Sequence, residues 1–66
     1  MISFQVPDMT CGHCVKAITS AVQTIAPTAL VTCDVDTKRV TVNTSIDASK
    51  VEEVIREAGY SPVLVN

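Results

Sequence analysis

Apolar and polar residues alternate from Met1 to Val6, with Ile2, Phe4 and Val6 on one side and Ser3 and Gln5 on the other. This is the period of a half-buried strand, and Pro7 ends it. The period then lengthens. From Val15 onward apolar residues fall at Val15, Ile18, Val22 and Ile25, which predicts a helix from about Gly12 to Ala26 that Pro27 cannot continue. Leu30 to Val35 and Val40 to Ile46 read as two strands, joined as a hairpin through the polar Asp36-Thr37-Lys38-Arg39 turn. Asp47 suits the N-cap of a second helix whose apolar face is Val51, Val54, Ile55 and Ala58. Gly59 stands where a left-handed C-terminal cap is wanted. Tyr60 to Val65 supplies a final strand, and Pro62 inside it demands a free edge, because proline has no N–H to give to a ladder.

The predicted order is βαββαβ. Two right-handed crossovers around a central hairpin give a four-stranded antiparallel sheet with both helices on one face, the ferredoxin-like α+β sandwich. No repeat, low-complexity tract or linker interrupts the chain, so residues 1–66 are expected to form a single domain.

At 66 residues and 7.0 kDa there is room for one thin core but not for a substrate cleft with catalytic apparatus, so a binding function is expected rather than an enzyme. Apolar residues at 47% suffice for autonomous folding. The formal charge of −2 leaves no basic face, since Lys16, Lys38, Arg39, Lys50 and Arg56 are scattered singly, and nucleic acid is a poor partner. Neither a secretory signal pattern nor an apolar run near ~20 residues is found, so no membrane insertion and a cytoplasmic location are expected. Three cysteines cannot all pair with one another, which fits a reducing compartment with free thiols.

The chemistry concentrates in Met9-Thr10-Cys11-Gly12-His13-Cys14, where an extended segment gives way to a helix. A structural zinc site normally takes four Cys or His donors, and no second such pair exists to complete one. Two thiolates alone suit an ion of low coordination number, above all Cu(I), for which thiolate softness is selective. Cys14 falls in the first helical turn, where free N–H groups and the helix dipole favour a thiolate. A dithiol oxidoreductase is the rival reading, because Cys-Gly-His-Cys is also the dithiol of protein disulfide isomerases. A thioredoxin-like domain of that kind, however, needs about 100 residues, more strands ahead of the motif and an aromatic where Thr10 stands.

Met9-Thr10-Cys11-x-x-Cys14, the βαββαβ plan and Ala58-Gly59-Tyr60 after the second helix together resemble the heavy-metal-associated domain family, and within it the small bacterial copper chaperones. The resemblance covers essentially the whole chain. It implies Cu(I) held by Cys11 and Cys14 and handed to the soluble metal-binding domain of a copper-transporting P-type ATPase, with Met9 packed beneath the loop and Tyr60 beside the site. Zinc-transporting relatives typically carry Asp where this chain has Thr10. Mercury-binding relatives resemble exported proteins and commonly have Phe in place of Tyr60. Zinc, cadmium and mercury are thus the alternative cargoes. The family usually has Gly where this chain has Asp8, which sets a negative charge near the ligands.

His13, the only histidine, lies between the ligands and is expected to point outward, as a spacer or an auxiliary donor. The Met9 thioether is expected to pack rather than ligate. Cys33 shares a strand face with Val31 and Val35, and is expected to be buried as a small hydrophobe. Glu52, Glu53 and Glu57 read as a solvated face. Because two surface thiolates leave Cu(I) under-coordinated, a copper-bridged homodimer is also expected.

Overall fold

The computed structural model describes residues 1–65; Asn66, the last position of the domain expected over 1–66, lies outside the described residues. Alternation makes β1 from Ile2–Gln5, and the 3–4 spacing makes α1 from Gly12–Ile25. β2 (Leu30–Asp34) and β3 (Arg39–Asn43) form the hairpin, followed by α2 (Ala48–Glu57) and β4 (Val63–Leu64). The sheet order is β2-β3-β1-β4, and every neighbouring pair is antiparallel. The expected ferredoxin-like order is therefore present, with β2 and β4 as edges. Among the described residues no helix is long and apolar enough to cross a membrane.

One face of the central strands carries Phe4, Val6, Val40 and Val42. These pack with Ile18 and Val22 of α1 and with Val51 and Ile55 of α2, so both helices cover the same side of the sheet. The opposite face is polar across the register Thr32, Thr41 and Ser3, whose hydroxyls meet at 3.5 Å between Ser3 Oγ and Thr41 Oγ1.

Four expectations need correction. Ile25 is exposed and Ala26 is buried in its place, because a 3.6-residue repeat from Ile18 and Val22 reaches position 26. Ala58 caps α2 and faces solvent. Asp47 occupies the N-cap position, but its side chain accepts no capping bond; its backbone carbonyl receives the N–H groups of Lys50 and Val51 instead. The final strand is two residues long rather than spanning Tyr60 to Val65, and Pro62 lies just outside it and is buried.

The β2–β3 turn and the α2–β4 connection lie at the same end of the sheet as the segment leaving β1. The Asp34 carboxylate accepts the N–H groups of Asp36 and Thr37 at 3.0 and 3.3 Å, and Lys38 closes the turn with φ 62°. The Val6 N–H then donates to the Lys38 carbonyl at 2.7 Å, which ties the end of β1 to that turn.

Candidate metal centre

Beyond Val6 the chain turns through Pro7 and Asp8, closed by the Met9 N–H donating to the Val6 carbonyl at 3.0 Å. Met9 is wholly buried in the core cluster. Its flexible thioether side chain packs among those apolar side chains and so anchors the segment that leads to the cysteines. The next four residues, Thr10, Cys11, Gly12 and His13, are exposed.

Cys11 is the N-cap of α1 in extended conformation, φ −156° and ψ 171°. Its thiol makes no capping bond. Its carbonyl instead accepts the N–H groups of Cys14 and Val15 at 3.1 and 3.3 Å. The turn so formed brings Cys14, the third helical residue, back over Cys11, with Sγ to Sγ at 3.6 Å. That is far beyond a disulfide bond of about 2.0 Å, and both thiols are free. It is also within the span of about 4.6 Å that two metal–sulfur bonds of zinc-like length can cover. Among the described residues no third His, Cys, Asp or Glu joins them in a group able to hold an ion. The donor set is therefore two soft sulfurs, which fits a low-coordinate soft ion.

The electrostatics favour charge on sulfur. The Cys14 thiol is lowered to about 6, first by hydrogen bonding from the Tyr60 hydroxyl, next by the Thr10 backbone, and further by Cys11; desolvation opposes these. The main cause thus differs from the expected helix start: it is a phenol delivered from the far end of the chain. Tyr60 is half-buried, and its own pKa is raised by the same bond to Cys14, then by desolvation and by the negative charges of Cys14, Cys11 and Asp8. Asp8 therefore acts on Tyr60.

Tyr60 is delivered by the end of α2. Gly59 adopts φ +100°, which L side chains rarely adopt, and this reverses the chain so that the Tyr60 N–H reaches the Ile55 carbonyl at 3.3 Å. Arg56, paired with Glu52 at 2.9 Å, also donates to the Pro62 carbonyl at 3.4 Å. Asp8 Oδ1 accepts the Ser61 N–H at 3.2 Å, a contact that sequence reasoning missed. Cys33 stays apart from the site. It faces the core but is only half-buried, because β2 is an edge strand; burial raises its pKa, and Thr19 Oγ1 lies 4.0 Å from its sulfur.

A profile of the heavy-metal-associated domain matches residues 3–61. No curated protein sequence matches the chain significantly. Among solved structures, the copper chaperone Atx1 from Synechocystis in a trimeric form is 32% identical, with TM-score 0.93 over 96% of this chain and 100% of that one. A gold-binding protein is 31% identical, with TM-score 0.93 over 97% and 98%. An Agrobacterium tumefaciens protein is 42% identical, with TM-score 0.82 over 89% and 92%.

Proposed function

The chain belongs to the heavy-metal-associated domain family, and from that premise we propose that it is a copper chaperone. In this reading it holds one Cu(I) between the sulfurs of Cys11 and Cys14 and passes it by thiolate exchange to the soluble metal-binding domain of a copper-transporting P-type ATPase. The reading is supported above all by two free thiols at 3.6 Å with no third convergent donor among the described residues. Such a pair binds a soft two-coordinate ion and leaves room for an incoming ligand. The likeness to copper chaperone Atx1 points the same way.

Transfer is a ligand exchange without redox change. A thiolate of the acceptor adds to Cu(I), giving a three-coordinate intermediate, and then one donor sulfur leaves. Cys11 is exposed while Cys14 is partly covered, so the acceptor approaches on the Cys11 side. Met9 supports the loop and Tyr60 holds the Cys14 sulfur anionic. His13, exposed at the helix start, is left as an auxiliary donor toward a second protein. The cytoplasm suits this work, because its reducing poise keeps both thiols free.

Competition for Cu(I) against a chromogenic chelator is the direct test. Wild type and Cys33→Ser should hold the ion equally well, whereas Cys11→Ser and Cys14→Ser should each surrender it. Retention by either of these two would overturn the assignment. A close pair of thiols, one with a low pKa, is also what dithiol exchange uses. Catalysed insulin reduction, or co-purification of zinc, cadmium or mercury in place of copper, would redirect the reading.

A further inference from the structure

We propose that Asp8 is a positioning residue for the metal loop: its carboxylate fastens the α2–β4 connection, and Tyr60 with it, to the segment leaving β1. This deepens the copper reading and rests on it for its functional consequence.

The sheet stops short of the site. β1 and β4 pair through Phe4 with Leu64 and Gln5 with Val63. Continuing that register toward the site would set Val6 opposite Pro62 and Pro7 opposite Ser61. The Val65 N–H donates to the Ser3 carbonyl, so alternate pairs carry the bonds and Pro7 with Ser61 would be the next hydrogen-bonded pair. Pro7 has no N–H to give to Ser61, and the ladder stops. β4 accordingly begins only at Val63. The two segments that must lie together to build the site, Pro7 to Cys11 and Gly59 to Pro62, therefore cannot be joined by continued strand pairing. The Ser61 N–H, left without a ladder partner, donates to Asp8 Oδ1 at 3.2 Å.

The other restraints on Tyr60 do not do this job. The Tyr60 N–H bond to Ile55 and the Arg56 bond to the Pro62 carbonyl both hold the connection to α2, its own parent element. Met9 anchors the metal loop to the core. Asp8 with Ser61 links the one segment to the other, across 53 positions of sequence, directly beside the tyrosine. A glycine at position 8 would supply no acceptor.

The charge and the hydrogen bond of Asp8 can be separated. Asp8→Asn removes the charge and keeps an oxygen acceptor, while Asp8→Ala removes both. In the metal-free chain, Ser61 amide exchange and the proton–proton contact between the Tyr60 ring and the Cys14 β-protons should be alike in wild type and Asp8→Asn. In Asp8→Ala, Ser61 should exchange about three- to tenfold faster, the range one net hydrogen bond covers, and the Tyr60–Cys14 contact should weaken. Release of Cu(I) to a chelator should accelerate by a similar factor in Asp8→Ala alone. The proposal is overturned if Asp8→Ala matches wild type in Ser61 exchange and ring contact, or if Asp8→Asn behaves as Asp8→Ala. If the contrasts in the metal-free chain hold while wild type fails to retain Cu(I), the tie stands and the copper reading falls. Asp8 is exposed, and equal urea midpoints across the set would show that all variants fold.

Discussion

Cys14 and Tyr60 divide a negative charge in favour of sulfur: the thiol sits at about 6 and the phenol is pushed upward. Above about pH 6, Cu(I) need displace no proton from Cys14, and below it protonation competes with the metal. The Cys14 share of the pH dependence should therefore appear only as pH falls through that region, where affinity is lost in stronger acid. The sign for folding follows from the same shift. An unfolded thiol titrates near ~8.5, so between about pH 6 and that value the unfolded chain binds more protons and the stability of the metal-free protein rises with pH. The contribution is complete above the unfolded value and is lost as pH falls through about 6. Tyr60→Phe removes the largest cause, so thiolate absorbance should titrate at higher pH and the rise in stability should flatten; an unchanged midpoint would remove the phenol from this account. Met9 can be tested by substitution as well. Being wholly buried, it should tolerate Leu at a cost below about 1.5 kcal/mol, whereas Ala should cost about 2–5 kcal/mol in a urea titration. If the thioether only packs, the Leu variant keeps its Cu(I) in the chelator assay.

Among the elements, the end of α2 carries the most consequence for the site, because the turn at Gly59 sets where Tyr60 goes. No atom lies near the position a Cβ would take there, so Gly59→Ala should cost only backbone strain at φ +100°, about 1–2 kcal/mol. Its urea midpoint should fall, with the Tyr60–Cys14 contact loosened as well. Gly59 was legible in the sequence because a glycine after an amphipathic run has one common use. The Cys11–Cys14 turn was legible because the spacing fits a helix start. What stayed hidden was non-local. Cys33 alternates like a core residue, but only the strand order β2-β3-β1-β4 reveals that it sits on an edge and is half-covered. Pro62 signalled an edge, yet the strand begins only after it, because Pro7, across from Ser61, has no N–H with which to continue the ladder. The low pKa of Cys14 was foreseen from the helix start, while its chief cause, Tyr60, arrives from 46 residues downstream and becomes visible only once α2 is folded onto the sheet. The Asp8 bond to Ser61 was beyond reach for the same reason.

At the scale of the whole molecule, the two sulfurs stand at one end of a domain measuring 26 × 21 × 18 Å, and no third donor from the described residues closes over them. An ion held there keeps an open side facing solvent. An acceptor thiolate can enter by that side, but so can a thiolate from a second copy of this chain, and the two outcomes compete for the same vacancy in the coordination shell. Were two copies to meet site to site about a two-fold axis, each would contribute the same pair of sulfurs and the assembly would close at a dimer. His13 is exposed on the first helical turn, and a nitrogen donor from it in such a dimer would shift its resonance on copper loading. Sedimentation velocity should therefore give a monomer for the metal-free chain and a dimer as loading approaches one Cu(I) per chain, with Cys33→Ser unchanged and Cys11→Ser monomeric throughout. Excess small-molecule thiol should return the loaded dimer to monomer by supplying the missing ligand from solution. A chain that stays monomeric at every loading, with an unshifted His13 resonance, would mean that copper is satisfied by Cys11 and Cys14 alone and that the open side serves transfer only.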